Sequence, residues 1–312
     1  MLLAGGDGTR LRDLTLQIAG DPRPKQFCPI VGGKSLFSQT RARLAPLFPN
    51  DRQLFVLSRA HEKYYSEDLT NADHANAISQ PLNRGTGVAI ALALLHVLER
   101  DPHAVVGLFP CDHYYANDDA FRATVRSAAA CANEHPESLI LVGAEPECPE
   151  IEYGWIERGP VVSQSPAGPL SRVTRFWEKP ALHQARTLLR QGCLWNTFVT
   201  VGLGATLLDL LCTQVPEAML SIKRAVSDSA LDAAYSCLPP VDFSKDILVH
   251  QSKKLLVLRD GGSGWADLGS PARVLQILTR HRIQPEWVGR YTSVHISSGK
   301  NAKRPLRPMS GA

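Results

Sequence analysis

Long apolar runs are missing from this 312-residue chain. No stretch approaches the roughly 18 consecutive apolar residues of a membrane-spanning helix. The N-terminus also lacks the basic-then-apolar pattern of a signal peptide. We therefore expect no membrane association and a cytoplasmic location.

Cysteine pairs with metal-binding spacing are missing as well. The seven cysteines include no CxxC pair, and their number is odd. This pattern indicates neither a zinc site nor a complete disulfide framework, so we expect reduced thiols.

The excess of positive charge is small, because the chain has 34 Lys and Arg and 30 Asp and Glu, for a net charge of +4. Basic residues are dispersed except near the C-terminus, which argues against nucleic-acid binding. Internal repeats are absent too. With 44% hydrophobic and 21% charged residues, the composition is typical of a folded, enzyme-sized protein.

Apolar β-branched runs alternate with longer helix-like runs. This rhythm predicts an α/β fold with a Rossmann-like mixed, mainly parallel sheet flanked by helices. The predicted strands are 53–57, 104–109, 139–142, 153–157 and 172–177, with a Gly/Pro/Ser-rich link over 159–171. The predicted helices are 86–99, 181–191, 205–214 and 271–281.

Both ends of the chain have unusual composition. Met1-Leu2-Leu3 leaves almost no strand before the first glycines, so we expect the natural chain to start a few residues earlier. The tail from residue 297 has hardly any apolar content, which predicts disorder.

The first chemical motif is a glycine-rich turn followed by a Pro-Lys pair. It reads Leu3-Ala4-Gly5-Gly6-Asp7-Gly8-Thr9-Arg10-Leu11, and Pro24-Lys25-Gln26-Phe27 comes after a loop. Glycines let backbone N–H groups approach a polyphosphate, and Arg10 and Lys25 supply positive charge. The spacing excludes a Walker loop, and no second GxG motif supports a dinucleotide site.

A second motif places Asp112 after an apolar strand, at the sheet edge where open α/β folds bind ligands. His113 follows it directly. A phosphate monoester is already largely anionic near neutral pH, so no strong base is needed, and we expect a structural role for His113.

Together these motifs resemble the sugar-1-phosphate nucleotidyltransferases, most closely the mannose-1-phosphate guanylyltransferases without an isomerase domain. GxGTRL followed by PKQF carries the resemblance. Further segments follow in the family's order: Pro81-Leu82-Asn83-Arg84-Gly85-Thr86, Phe109-Pro110-Cys111-Asp112-His113, Phe176-Trp177-Glu178-Lys179-Pro180, Leu194-Trp195-Asn196 and Gly264-Trp265-Ala266-Asp267-Leu268-Gly269-Ser270. The similarity extends over roughly residues 1–278.

The resemblance implies the fold of the nucleotide-diphospho-sugar transferases and a set of site roles. Arg10 and Lys25 would be catalytic, and Asp112 and Asp267 would bind Mg²⁺. The nucleotide-binding residues would be Leu3, Ala4, Gly5, Gly6, Gly8, Thr9, Asn83 and Thr86. The sugar-phosphate-binding residues would be Gly154, Glu178, Lys179 and Asn196.

Each of these residues also has a plainer interpretation. Asp112 could cap a turn, Asp267 could accept backbone hydrogen bonds, and Thr86 could cap its helix. Glu178 and Lys179 could form an ordinary solvated pair.

The implied reaction joins GTP, or another nucleoside triphosphate, to a hexose-1-phosphate with release of pyrophosphate. Mannose-1-phosphate is the expected sugar, although Thr197-Phe198-Val199 stands where those enzymes usually have Ser-Gly-Met. The alternatives are the same reaction with dTTP or UTP and glucose-1-phosphate, and a regulatory homologue that binds nucleotide sugars. Formation of a homo-oligomer stays open.

The same resemblance gives the expected domain organisation. A nucleotidyltransferase domain covers residues 1–283, with a nucleotide-binding half over 1–150 and a sugar-phosphate half over 151–283. Residues 284–312 form a C-terminal extension.

Overall fold

Short runs of buried, mainly apolar residues form the central strands of a nine-stranded mixed sheet in the computed structural model, which describes residues 1–291. The strands of both sheets in the described residues are β1 (Leu2–Leu3), β2 (Phe55–Ser58), β3 (Ala77–Gln80), β4 (Val105–Pro110), β5 (His113–Tyr114), β6 (Leu139–Ala144), β7 (Gly154–Ser165), β8 (Gly168–Glu178), β9 (Leu194–Leu203), β10 (Leu255–Arg259) and β11 (Ala266–Asp267). The large sheet has the order β3-β2-β1-β4-β9-β6-β10-β8-β7, and β5 pairs with β11 separately.

Helices flank this sheet, as the sequence predicts. They are α1 (Arg12–Ala19), α2 (Leu36–Leu44), α3 (Glu62–Tyr65), α4 (Asn71–His74), α5 (Gly85–Arg100), α6 (Asp118–Glu134), α7 (Leu182–Arg190), α8 (Gly204–Gln214), α9 (Pro216–Ser227), α10 (Leu231–Cys237) and α11 (Pro271–Arg280). The four predicted helices correspond to α5, α7, α8 and α11, with ends that differ by at most one residue. The predicted fold class is confirmed.

The strand directions create a crevice at one edge of the sheet. β1 pairs in parallel with both β2 and β4, whereas β4 pairs antiparallel with β9. The last paired residues of β4 and β9 are Leu108 and Thr200, and β4 continues beyond them beside β1. Ligands of open α/β folds bind at such points beyond the carboxyl ends of strands.

Alternating side chains of the strands enter two cores on opposite faces. In β2, Phe55 and Leu57 pack with Phe27 and Phe37. Val56, between them, packs on the other face with apolar residues of α5. Because successive strand residues point to opposite faces, both faces of this strand must be covered, and its run is continuously apolar.

The predicted link over residues 159–171 is wrong. β7 and β8 form one long hairpin there, and the turn is left to Pro166 and Ala167. The pairing shifts register at Glu157/Arg158, Arg158/Val161 and Val161/Ser163, so the ladder accommodates Gly159 and Pro160. Over this stretch β7 pairs with no strand of residues 1–291 other than β8, and proline is tolerated on such an edge.

Other expectations concern the thiols and the chain ends. All seven cysteines are unpaired, as predicted. Within residues 1–291, no helix is both long enough and apolar enough to cross a bilayer. Trp287 is buried and donates its indole N–H to the Ile30 carbonyl at 3.0 Å, so part of the predicted C-terminal extension packs on the body. The predicted disordered tail from residue 297 lies outside the described residues.

Candidate active site

The glycine-rich loop and the Pro-Lys motif are in direct contact. Gly8 has φ +59°, and a Cβ built on it would lie 2.9 Å from the backbone nitrogen of Lys25. Only glycine tolerates both this conformation and this approach. The spacing of the two motifs therefore has a steric basis: the loop closes against Pro24 and Lys25.

Gln26 fixes the shape of the same loop. Its side-chain amide donates to the carbonyl oxygens of Ala4 at 2.8 Å and Gly6 at 2.6 Å, and the residue is 3% exposed. No acceptor within residues 1–291 takes the N–H of Gly6 or Gly8 in a regular hydrogen bond. Because Gln26 binds the loop's carbonyl oxygens, the N–H groups of Gly6 and Gly8 remain available to an anionic ligand.

Lys25 brings the two predicted metal ligands together. Its buried ammonium lies 3.2 Å from Asp112 Oδ2 and 3.0 Å from Asp267 Oδ1. Asp112 follows β4, and Asp267 lies in β11, which pairs with His113 of β5. The small β5–β11 sheet therefore carries a residue from near the end of the chain to the carboxyl edge of β4.

Electrostatic attraction among Lys25, Asp112 and Asp267 determines their ionisation states. Burial alone would lower the pKa of Lys25 and raise those of Asp112 and Asp267. The opposite charges outweigh burial, so the pKa of Lys25 lies above its usual range and both carboxyl pKa values lie below theirs. All three groups are therefore ionised near neutral pH.

The two carboxylates suit a hard cation. Carboxylate oxygens are ligands that Mg²⁺ prefers, and Mg²⁺ usually keeps waters and substrate phosphates in its remaining positions. Within residues 1–291, no group of three His, Cys, Asp or Glu side chains could hold a metal ion by itself. A pair of acids that depends on substrate oxygens fits Mg²⁺ better than a protein-enclosed metal.

Neighbouring side chains hold both acids in position. Arg273 contacts Asp267 Oδ2 at 3.4 Å and forms a short hydrogen bond to Glu150. On the other side, the Trp265 indole N–H donates to His113 Nδ1 at 3.1 Å, which leaves Nε2 as the protonated nitrogen facing Asp112. Burial lowers the pKa of His113, so it is neutral near pH 7. These contacts agree with a structural role for His113.

Two of the predicted nucleotide-binding residues, Asn83 and Thr86, already have hydrogen-bond partners within the protein. Asn83 donates to Asp7 Oδ2 at 2.8 Å, and its amide oxygen accepts the N–H of Gly85 at 3.0 Å. Thr86 Oγ1 accepts the backbone N–H of Phe243 at 2.9 Å. The alternative role of Thr86 as a helix cap is wrong, because its hydroxyl anchors the 241–243 segment instead.

The predicted sugar-phosphate residues converge on Gly154. This glycine is paired with Glu178, and a Cβ on it would lie 3.0 Å from Glu178 Oε2 and 3.2 Å from the Asn196 Cβ. Lys179 follows with φ +46° and stays half-exposed, 3.7 Å from Glu178. Burial, and then the charge of Asp242, raises the pKa of Glu178 to about 7.

A cavity of about 320 Å³ at the carboxyl edge is lined by most of the predicted nucleotide-binding residues and by one of the two predicted metal ligands. Its walls include Leu3, Ala4, Gly5, Gly6, Asn83, Thr86 and Asp112. Its walls do not include Gly8, Thr9, Lys25 or any of the predicted sugar-phosphate-binding residues. Arg10 is also outside, on the surface, where it contacts Glu152 at 3.2 Å. A larger cavity of about 710 Å³, around Met1 and Val105, is lined by none of the predicted site residues.

Similarity to known proteins extends over most of the chain. The sequence pattern of the family described as "Nucleotidyl transferase" matches residues 1–281. The chain belongs to the nucleotidyl transferase family. This nucleotidyl transferase is 29% identical over 284 residues to a mannose-1-phosphate guanylyltransferase of Sinorhizobium fredii. The alignment covers 86% of this chain and 52% of that relative.

Two further relatives give the same picture. A mannose-1-phosphate guanylyltransferase of Escherichia coli is 28% identical over 279 residues, which cover 86% of this chain and 58% of the relative. The chain thus spans little more than half the length of these curated relatives. A solved structure from Thermus thermophilus, described as a mannose-1-phosphate geranyltransferase, superposes with a TM-score of 0.77 at 28% identity. The superposition covers 91% of this chain and 78% of the other.

Several residues of this nucleotidyl transferase's site were not predicted from the sequence. Gln26 shapes the loop, Asp7 holds Asn83, and Arg273 holds Asp267. Gln80 ends β3 in the cavity wall, where a Cβ on Gly5 would lie 2.7 Å from its amide nitrogen. A polar residue at the end of a short strand was the available signal for Gln80. No local pattern marks Arg273.

Proposed function

We propose that this protein transfers the guanylyl group of GTP to mannose-1-phosphate, giving GDP-mannose and pyrophosphate. The observation that carries the proposal is the Lys25 ammonium between Asp112 and Asp267, directly behind a glycine-rich loop. Such a site gathers positive charge, free backbone N–H groups and two acids around one small region, which suits a triphosphate with its metal. The identity to guanylyltransferases supports the choice of base and sugar.

The chemistry is a direct in-line attack of a sugar-phosphate oxygen on the α-phosphorus of the nucleotide. No covalent enzyme intermediate forms, because the incoming phosphate is already an anionic nucleophile. The N–H groups of Gly6 and Gly8 hold phosphoryl oxygens. Lys25 offsets charge that develops on the leaving pyrophosphate, and Arg10 adds charge from the surface. Mg²⁺ held by Asp112 and Asp267 would supply further charge neutralisation when bound.

The sugar end is proposed to use the cluster around Gly154. Asn196 and Glu178 hydrogen-bond sugar hydroxyls, and Lys179 contacts the sugar phosphate. On this basis residues 1–150 form the nucleotide-binding half and 151–283 the sugar-phosphate half, and the active site lies between them. The ion pair between Arg10 and Glu152 joins the two halves, which supports an active site shared by both.

Pyrophosphate release across a matrix of substrates tests the proposal. Purified protein is incubated with Mg²⁺, one of GTP, dTTP, UTP, ATP or CTP, and either mannose- or glucose-1-phosphate. Release with GTP and mannose-1-phosphate alone is the expected result. Another active pair would overturn the assigned specificity, and silence in every well with nucleotide binding intact would overturn the transfer activity. An Asp267→Asn variant serves as the control for contaminating activity.

A further inference from the structure

Phe198 has a backbone conformation that aromatic residues rarely adopt. Its φ is +68°, in the left-handed region that favours glycine. Within residues 1–291 the other non-glycine residues with positive φ are Lys179, Ser229 and Arg282. Strained residues persist where surrounding structure holds them, and they cluster at functional sites. Phe198 is held by hydrogen bonds on both sides of its peptide unit, and it lines the cavity of the candidate site.

The strain is held by a bulge in β9. The pairing of β6 with β9 passes from Leu141 opposite Thr200 to Gly143 opposite Asn196, so three residues of β9 face one of β6. The Phe198 N–H donates to Asn196 Oδ1 at 3.1 Å, and its carbonyl accepts from Thr200 Oγ1 at 3.1 Å. Polar side chains on both sides thus fix the bulge, which directs residue 198 out of the ladder.

The residue lies where the two ends of the site meet. Phe198 lines the 320 Å³ cavity together with Thr86 and Asp112, and its ring packs against Phe243 with centroids 5.8 Å apart. Asn196, which accepts its N–H, belongs to the cluster around Gly154. The ring of Phe198 therefore lines the cavity of the predicted nucleotide-binding residues, and its backbone N–H is bonded to Asn196 of the proposed sugar subsite.

We propose that Phe198 determines which hexosyl groups the site accepts. The proposal rests on the proposed function. The ring is an apolar part of the cavity wall that also includes Asp112, and the Phe198 N–H is bonded to Asn196 of the adjoining Gly154 cluster. With the sugar bound at that cluster, the C–H face of an unsubstituted pyranose packs against the ring. The same wall excludes hexose-1-phosphates that carry a bulky substituent such as an N-acetyl group. The strained backbone is retained because a relaxed strand would carry the ring away from the cavity.

The test compares sugar preference in Phe198→Gly and wild type. Both are assayed for pyrophosphate release with GTP and either mannose-1-phosphate or N-acetylglucosamine-1-phosphate. Phe198→Gly is expected to raise the kcat/KM ratio of the N-acetylated to the unsubstituted sugar by about tenfold or more, because a wall is removed. The change should appear in the KM for the sugar phosphate and leave the KM for GTP unaltered.

Two further variants separate specificity from backbone strain. Phe198→Asn tolerates positive φ but has no ring, and it should follow the glycine variant. Ser229→Gly relieves positive φ (+53°) at an exposed position outside the site, and it should leave the sugar ratio unchanged.

Three outcomes would count against the proposal. An unchanged ratio in both Phe198 variants, with wild type active, overturns this inference and leaves the proposed function standing. A change in the KM for GTP with no change in the sugar ratio overturns it as well. Silence of wild type with every sugar phosphate overturns the proposed function, and this inference with it.

Discussion

Gly8 and Lys25 approach so closely that no side chain fits between them: a Cβ on Gly8 would lie 2.9 Å from the Lys25 backbone nitrogen. The glycine's φ of +59° would itself disfavour any other residue. The glycine-rich loop and Lys25 therefore form one structural unit, although 17 positions separate Gly8 from Lys25 in the sequence.

We expect Gly8→Ala to lower the free energy of unfolding by about 1–3 kcal/mol and to raise the KM for GTP, because the loop must move away from Lys25. Gly20→Ala is the matched control, since Gly20 also has positive φ (+79°) but a Cβ there would meet nothing within 4 Å. Urea unfolding and steady-state kinetics measure both effects. Equal effects of the two variants on KM would contradict the close-contact explanation.

Gln26→Glu should disturb the same loop from the opposite side. The substitution preserves shape but replaces two donated hydrogen bonds, to Ala4 and Gly6, by repulsion between carboxylate and carbonyl oxygens. We expect a loss of about 1–3 kcal/mol in unfolding free energy and weaker GTP binding, both measurable by calorimetry. Gln39→Glu removes a comparable hydrogen bond at a more exposed site, to the Lys34 carbonyl. It should change stability little and GTP binding not at all.

Lys25→Met should remove the charge that holds the two acids together. Asp112 and Asp267 would then repel each other, so their pKa values should rise and stability should fall. Pyrophosphate release should fall by about 10²-fold or more, since charge near the leaving group is lost. Coupled-enzyme assays and carboxyl NMR titration follow the two effects. Lys253→Met, at an exposed position, should change neither. Near-normal turnover in Lys25→Met would exclude a catalytic role for this residue.

The fold was largely predictable because its central strands are short, continuous apolar runs. Leu139–Ala144, for example, is buried along its whole length, which is how a strand covered on both faces appears in sequence. The hairpin over residues 154–178 was only partly predicted. Its Gly, Pro and Ser content is typical of a loop, and only edge position and register shifts make it compatible with a strand.

The candidate site was predictable where motifs are local, and not where contacts are distant. The motif around Lys25 predicts a phosphate role, and that stays a prediction, whereas its contact with Asp267 joins residues 242 positions apart and has no local signal. The bulge at Phe198 depends on side chains of β9 and on the unequal pairing with β6. Such relations arise from tertiary structure, and local spacing carries no trace of them.

Glu178 should make both stability and sugar binding depend on pH near neutrality. Burial, together with Asp242, raises its pKa in the folded protein to about 7 from an ordinary value of 4.5. The folded state therefore binds this proton more tightly than the unfolded chain does. The resulting stabilisation is fully present below about pH 4.5 and is lost as the pH rises through 7, by up to about 3 kcal/mol.

Glu178→Gln tests this sign directly, because the amide stays neutral at every pH. Relative to wild type, the variant should gain unfolding free energy between about pH 5 and pH 8, measured by urea denaturation. In the same range, the KM of wild type for mannose-1-phosphate should change as the carboxyl turns from donor to acceptor, and that of the variant should not. Glu67→Gln, at an exposed glutamate, should follow wild type throughout. A wild-type titration near pH 4.5 instead of 7 would mean that Glu178 is solvated, and the expected pH dependence of sugar binding would then be wrong.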